Sequence, residues 1–586
     1  MNPPPTPTPT PTPLPLADLD VIVLDCQATA ASPRLGHLLE IAWTTTNARA
    51  AAHLTPDSVH AHLVAQPEAT PIPARITELT GITDADLDNA APPAHVADAL
   101  RALLPPPERA TLTIIHYASF ERPFLHALLG DDTARLDLVC THALARHLVP
   151  DLPSRGIRAV AGYFGFPIER LKRSGEHVLA TARIWEHFVG LLAERDVHTI
   201  DDLRALLQQK APKPTGPKLF RMDREQRLAL PSKPGVYRML AHGGKLLYVG
   251  KATNLKARVN SYFQKRRADS AKNKELLAQV WDIAVTPTST PLEAALLETD
   301  LIKAHAPPYN VALTVGHRAV LFASADLASV AERPDTEHTT GPLTSTWTTR
   351  FLPDLRHVLD SVNEPSDDDR LALMSMPERW LPDLDTFRLG LARFIDDAAL
   401  APHTPLSRLA SAGRQAHARF LAQRLAAAEA AANTDDALDD DLQDPDPELA
   451  PNPDGFTWTP EAVAAHLDAL LRGAALALRR ARWLVRLSEA HLVWLPRGRR
   501  TQHRLLTIHA GHVADARDVA DPRPPPLDAL PFADRLPAFD LATVDRMMVL
   551  SGELRTLVRL GRPVQLALGP RALMDADDLR RLFLWL

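Results

Sequence analysis

Pro234-Gly235-Val236-Tyr237-Arg238-Met239-Leu240-Ala241-His242-Gly243-Gly244-Lys245-Leu246-Leu247-Tyr248-Val249-Gly250-Lys251 is the stretch on which the fold of this chain turns. Two apolar, β-favouring runs, Val236 to Ala241 and Lys245 to Val249, flank His242-Gly243-Gly244. A Gly-Gly pair supplies the positive φ angles of a tight hairpin turn. Tyr237 and Tyr248 are therefore expected on adjacent antiparallel strands. Downstream, Asn254 is placed to cap a helix whose Leu255 and Val259 face a core, with Arg258 one turn after the cap. Thr290-Pro291 announces a second helix, a capping residue followed by proline at the first helical position, running to about Lys303. Its Leu296, Leu297, Leu301 and Ile302 point inward, with Glu298 as the one carboxylate among them. By default, such a glutamate is a solvated face residue.

The residue types suit one chemistry. Hydrolysis of a phosphodiester needs a group that activates water, a cation on the phosphate and a carboxylate to hold a metal. A tyrosine hydroxyl, with an ordinary pKa of about 10, is a poor base at neutral pH unless a cation stabilises its anion. Lys251 and a bound metal could supply that. A single carboxylate with waters and phosphate oxygens is a typical arrangement for Mg²⁺, or Mn²⁺ in its place. Glu298 is the candidate ligand. Arg258 offers a rigid fork of donors to a phosphate whose charge grows in the transition state.

Across Pro234 to Met239, Tyr248 to Ala252, Asn254-Leu255, Arg258, Ser261-Tyr262-Phe263, Glu293-Ala294, Leu297-Glu298, Leu301 to Lys303 and Pro308 to Val311, the segment resembles the GIY-YIG nucleases of the UvrC N-terminal type. The resemblance implies that Tyr237 and Tyr248 flank the scissile phosphate, one of them as general base. It also implies that Lys251 and Arg258 stabilise charge, that Glu298 binds the divalent metal and that Asn310 shapes the site. After Val311 the likeness weakens. The second nuclease and the helix-hairpin-helix modules expected in UvrC itself have no counterpart, so one cut per encounter is the expectation.

Charge distribution points the same way. The chain carries a formal net charge of -6, yet Lys210 to Glu275 holds 17 Lys or Arg against 4 Asp or Glu. Such a patch is the electrostatic footprint of a polyanion. Lys256, Lys265, Arg266 and Arg267 are the candidate DNA-binding residues.

An earlier region is a second domain. Leu19 to Leu24, Leu39 to Trp43 and Leu112 to His116 read as strands with helical patterns between and after them, which argues for a mixed α/β sheet. Val23 to Thr29, Glu40 to Ala42, His116 to Glu121 and His177 resemble, over about Leu19 to Val189, the DEDDh exonucleases of the polymerase III epsilon type, with their RNase H-like fold. Two-metal hydrolysis holds two cations about 4 Å apart and needs acids to position both. The family pattern has four. Here Asp25 remains, Gln27 stands where a glutamate is expected, Glu121 replaces an aspartate, and the last acid falls at Thr181 or Ala182. His177 keeps the place of the general base. The expectation is an inactive exonuclease fold retained to bind DNA or to brace its neighbour, with Glu186 as a partial substitute acid.

The fold class expected is multidomain α/β and α+β, with a mostly helical C-terminal region carrying a short β-hairpin. Residues 1–18 read as a disordered Pro/Thr tail without the features of a secretion signal. An exonuclease-like domain follows at 19–209, a basic linker at 210–230 and the GIY-YIG domain at 231–312. Residues 313–432 are a helical region, 433–455 an acidic disordered linker too poor in apolar surface to fold, and 456–586 an α+β region. In that last part Thr459-Pro460-Glu461 opens a helix running through Leu487, Ala490 to Leu495 pairs with Leu505 to His509, and a final helix spans Leu541 to Leu560. Two cysteines are too few for a disulfide framework, so a reducing, cytoplasmic setting is expected. No apolar run is long enough for a bilayer. DNA is the expected partner, and the family likeness adds damage-recognition proteins of the UvrA/UvrB type. The competing functional expectations are an active 3′–5′ exonuclease with an accessory GIY-YIG module, and a non-catalytic DNA-binding scaffold.

Overall fold

The structure is a computed structural model and describes residues 14–67, 70–107, 109–168, 171–214, 218–264, 270–310, 319–345, 347–432, 457–528 and 530–586. Outside these lie the Pro/Thr tail up to residue 13, all of the acidic segment 433–455, and Lys265, Arg266 and Arg267. The chain divides into two units, Met1–Ser289 with Pro307–Asn310, and Thr290–Ala306 with Val311–Leu586. The span 231–312 is thus shared between them.

In the first unit, β1 (Val21–Ala28), β2 (Leu38–Thr46), β3 (His60–Leu63), β4 (Thr111–Ile115) and β5 (Leu136–Cys140) form one sheet in the order β3-β2-β1-β4-β5. β1 runs antiparallel to β2 and parallel to β4, so the sheet is mixed. Alternate residues of β1 enter different cores, Val21 and Val23 on one face and Ile22 and Leu24 on the other. A strand covered on both sides reads as a continuous apolar run. Helices α1 (Ala118–Leu129), α2 (Ile157–Tyr163) and α3 (Ser174–Ala193) follow. α1 covers one face with Leu125 and Leu129, and α3 covers the other with Trp185 and Phe188.

The linker expected at 210–230 is folded in its second half. Phe220, Met222 and Leu230 pack into the apolar cluster that holds Tyr237 and Val259, because these apolar residues are interleaved with the lysines and arginines. Here α4 (Arg224–Ala229) places Arg227 3.9 Å above the Phe263 ring and within 3.1 Å of Asn260 Oδ1.

Next come β6 (Gly235–Leu240), β7 (Leu246–Ala252), α5 (Leu255–Tyr262), α6 (Ala271–Gln279) and β8 (Asp282–Pro287). The strands form an antiparallel sheet ordered β7-β6-β8. Gly243 and Gly244 turn the hairpin at φ 75° and 82°. Within this unit α6 packs on α2. A Cβ on Gly162 would lie 2.2 Å from Gln279 Cγ, so only glycine admits the approach. Trp281 Nε1 donates to the Gly162 carbonyl at 2.7 Å, and the Arg221 guanidinium lies 4.1 Å over Tyr163 and 5.0 Å over Trp281.

The second unit begins with α7 (Pro291–His305), then β9 (Leu321–Ala323), β10 (Val330–Ala331) and β11 (Thr340–Leu343) in a small sheet. Helices α8 (Leu384–Asp397), α9 (Leu406–Ala432) and α10 (Pro460–Leu487) share an apolar cluster around Phe387, Leu391, Leu409 and Leu467. Thr459 caps α10 by accepting from the Ala462 N–H at 3.2 Å. The hairpin expected after it is present as β12 (Ala490–Trp494) and β13 (His503–His509), in register from Ala490 opposite Ile508. It belongs to a five-stranded antiparallel sheet completed by β14 (His512–Val519), β15 (Val564–Ala567) and β16 (Leu573–Asp575). β14 is exposed and polar, and β15 and β16 are short, so neither carries a strong strand signature. Against this sheet packs α11 (Leu541–Arg559). Among the described residues no helix is long and apolar enough to cross a membrane.

Candidate active site

Tyr237 faces Gly250 across the β6–β7 ladder. A Cβ at Gly250 would sit 2.4 Å from Tyr237 Oη and 2.9 Å from Tyr248 Cε1. The missing side chain is what lets the Tyr237 ring lie flat against β7. The ring is fully buried (0 % exposed). Its hydroxyl is 2.8 Å from that of Tyr262, and the rings of Tyr237, Tyr248 and Tyr262 stand 6.0–6.4 Å apart in a triangle.

Tyr262 reaches this triangle because α5 is fixed at its start. Asn254 Oδ1 accepts from the Ala257 N–H at 2.9 Å, and Leu255, Val259 and Tyr262 form one buried stripe. The same helix sets Arg258 beside the phenols. Its Nη2 donates to Tyr262 Oη at 3.3 Å, and its guanidinium carbon lies 5.1 Å from the Tyr262 ring centroid. Burial, reinforced by the neighbouring phenols Tyr262 and Tyr248, pushes the Tyr237 hydroxyl far above the ordinary phenol range. For Arg258 burial acts downward, but Tyr237 and Tyr262 outweigh it and hold the cation.

Asn310 is buried and fully used. Its Oδ1 accepts from the Val249 N–H at 2.9 Å and its Nδ2 donates to the Val249 carbonyl at 2.8 Å. It therefore pins the strand residue between Tyr248 and Gly250. Lys251, next to the end of β7, is exposed, and Lys256 is half-buried on α5. Glu298 is half-buried on α7, in the second unit. One carboxylate with water and phosphate oxygens is a donor set that suits a hard divalent ion. Among the described residues no group of three or more His, Cys, Asp or Glu gathers into a cage.

The four residues expected at the exonuclease-type site, Asp25, Gln27, Glu121 and His177, line one cavity of about 350 Å³. His177 Nδ1 is 3.2 Å from Asp25 Oδ1, and Gln27 Nε2 is 3.5 Å from both Asp25 Oδ2 and His177 Nε2. Glu121 is 2 % exposed. Its Oε1 accepts from the Tyr117 N–H at 3.3 Å, while Oε2 is buried without a partner. Burial and then the nearby Asp25 raise its pKa well above the carboxylate range. Burial lowers the His177 pKa, but the Asp25 charge and hydrogen bond more than offset this and raise it overall. Thr181 and Ala182, at the position of the last acid, are buried and supply no charge. Glu186 pairs with Arg183 at 3.0 Å instead. Glu40 is bound by Arg173 and the Ser174 N–H, so it anchors the start of α3.

Two participants carried no site role in the sequence. Tyr262 appeared only as part of a motif, although its spacing of four from Arg258 was the available signal. Glu275 of α6 joins the lining of the 350 Å³ cavity and accepts from Tyr309 Oη at 2.6 Å. No local pattern marks it.

A hairpin with paired tyrosines, a capped helix bearing arginine, and an asparagine returning to the same strand define a GIY-YIG-type domain. The family model described as the UvrC-like GIY-YIG domain matches residues 233–311. That segment is a UvrC-like GIY-YIG domain. The UvrABC system protein C of Psychrobacter sp. (strain PRwf-1) is 54% identical over 84 residues, 14% of each chain. A Mycobacterium tuberculosis (strain CDC 1551 / Oshkosh) protein, provisionally named a bifunctional exonuclease/endonuclease, is 30% identical over 284 residues, 47% of this chain and 42% of that protein. The solved N-terminal GIY-YIG endonuclease domain of Thermotoga maritima UvrC, bound to magnesium, is 32% identical with a TM-score of 0.14. That match covers 15% of this chain and 94% of that one. The chain thus spans about a seventh of the UvrC-type relatives and less than half of the mycobacterial one.

Proposed function

We propose that this protein is a divalent-metal-dependent, structure-specific DNA endonuclease that makes one single-strand incision, in nucleotide excision repair. The observation that carries this is the convergence of Tyr237, Tyr248, Tyr262 and Arg258 in a domain of UvrC-like type. A scaffold that only binds DNA has no use for a desolvated phenol network beside a guanidinium.

Tyr248 is the general base. Of Tyr237 and Tyr248 it alone reaches solvent, whereas Tyr237 is sealed and hydrogen-bonded to Tyr262. As its phenolate, its own proton given up to solvent beforehand, it takes a proton from water as the water oxygen bonds to phosphorus. The P–O bond to the leaving sugar oxygen breaks, and that oxygen takes a proton from solvent. Tyr237 and Tyr262 hold the geometry, Arg258 and Lys251 stabilise the charge growing on the phosphate, and Asn310 keeps β7 in place. Magnesium or manganese, bound by Glu298, would supply Lewis-acid polarisation of the phosphate and a more acidic water. Lys256, with Lys265, Arg266 and Arg267, adds sequence-independent grip on the backbone.

The exonuclease-like domain serves DNA binding or bracing, since two acids, Glu121 and an Asp25 already paired with His177, lack the charge for two cations. Partners of the UvrA/UvrB type, in the cytoplasm, would bring the enzyme to damage. Nicked, damaged and bubble DNA incubated with wild type and Glu298→Ala in Mg²⁺ tests the proposal. Incision by the wild type only is expected, and equal cleavage by both would refute it. One observation favours a second activity: Asp25, Glu121 and His177 do share a cavity. Metal-dependent 3′-end trimming by Glu298→Ala that vanishes on adding Asp25→Asn would establish it.

A further inference from the structure

We propose that the C-terminal α/β body of the second unit is a mount for α7, in which Arg504, Arg546 and Asp545 are positioning residues for Glu298. This rests on the proposal that Glu298 is the metal-binding acid. α7 meets that body through one face. Leu292 and Leu296 are buried in the same apolar cluster as Trp483, Leu506 and Met547. Around this apolar stripe, three charged residues of α7 each have a partner. Glu293 is held by a two-pronged contact from Arg504, Nε to Oε1 at 2.7 Å and Nη2 to Oε2 at 3.1 Å. Asp300 Oδ1 accepts from Arg546 Nε at 2.6 Å, and Lys303 Nζ lies 2.5 Å from Asp545 Oδ2. The partners are deeply placed, with side chains 10 %, 7 % and 4 % exposed for Arg504, Arg546 and Asp545.

Apolar packing alone tolerates sliding and rotation of a helix. Matched charges in desolvated positions do not, because a misplaced partner leaves a buried charge uncompensated. The sequence of signs on α7, acid, acid, base, is answered by base, base, acid on the mount. A slip of one residue advances the helix by about 1.5 Å and turns it by roughly 100°, and mispairs all three. By the same arithmetic position 298 lies nearly opposite the clamped face, between positions 294 and 302. The pairs therefore fix the rotation and height at which the Glu298 carboxylate is presented. A ligand displaced by about 1 Å loses on the order of 100-fold in rate.

The test uses the full-length protein with Asp300→Arg, Arg546→Asp and the double exchange, plus the milder Asp300→Asn in case a reversal prevents folding. Two readouts are taken: the Mg²⁺ concentration for half-maximal cleavage of bubble DNA, and hydrogen exchange of residues 291–305. Expected in the single variants, Asp300→Asn included, are a rise of about tenfold in that Mg²⁺ concentration, an unchanged KM for DNA, and faster exchange confined to α7. The double exchange restores both. Unchanged Mg²⁺ dependence and exchange in every single variant would overturn the mount. Glu298→Ala is run alongside. If it cuts as the wild type does, the metal role of Glu298 fails and its positioning with it. If it is inactive while the clamp variants behave normally, only the mount fails.

Discussion

Gly250→Ala is the substitution the site is least able to absorb. Its Cβ would fall 2.4 Å from Tyr237 Oη, 2.5 Å from Cζ and 2.9 Å from Tyr248 Cε1. Ordinary contacts between such atoms are about 3.5–4.0 Å, so the Tyr237 ring must retreat by roughly 1 Å. The ring has nowhere to go, being fully buried and tied to Tyr262. Overpacking of this kind costs about 1–3 kcal/mol of stability, and a shift of that size at reacting groups costs on the order of 100-fold in rate. Single-turnover cleavage should therefore fall far more than DNA affinity measured by anisotropy, and urea denaturation should show the modest destabilisation. Gly243→Ala and Gly244→Ala are the controls. Both have positive φ and nothing within 4 Å of the added carbon, so they strain the turn without touching the rings. If Gly250→Ala cuts at the wild-type rate, the tightly seated phenol triangle is not what the chemistry needs.

Asn310→Ala removes both hydrogen bonds to Val249 and leaves two buried backbone groups unpaired. A loss of about 1–3 kcal/mol per group is expected in denaturation, with reduced cleavage, and an unchanged melting curve would contradict it. Glu121→Gln should stabilise the protein at pH 7 and not at pH 4. The raised pKa of Glu121 means the folded state holds that proton more tightly, so its contribution is complete below the unfolded value of about 4.3 and is lost as pH rises. A gain that is equal at both pH values in urea titrations would refute this. EDTA should abolish incision and Mg²⁺ or Mn²⁺ restore it, while DNA retention on a filter persists. Cleavage that survives chelation would exclude the metal role.

The sequence was most informative where the signal is local. The Gly-Gly turn, the Asn254 and Thr290 caps and the opening of α10 are each decided by a few neighbouring residues, and they stand as expected. β1, β2 and β4 could be read because burial on both faces makes them predominantly apolar. β3, His60-Ala-His-Leu, and β14, rich in Asp and Arg, carry no such signature and take their conformation from sheet neighbours. For the candidate site, hairpin spacing alone put Tyr237 and Tyr248 on adjacent strands, where Tyr237 faces Gly250 and Tyr248 faces Met239. The Tyr237–Tyr262 contact needed α5 to close on the sheet. Least visible were the contacts of α7, since Arg504 and Arg546 lie 211 and 246 residues from their partners.

The seam between α2 and α6 has a consequence for how the N-terminal halves operate. With Gln279 seated against Gly162, Trp281 bonded to its carbonyl and Arg221 sandwiched between aromatic rings, the exonuclease-like and GIY-YIG modules are not beads on a string. The interval between the 350 Å³ cavity and the tyrosine triangle is set by folded surfaces, as in a ruler. Inserting a few glycines near residue 212 should therefore leave that interval, and any cut site measured along a bound strand, where it was.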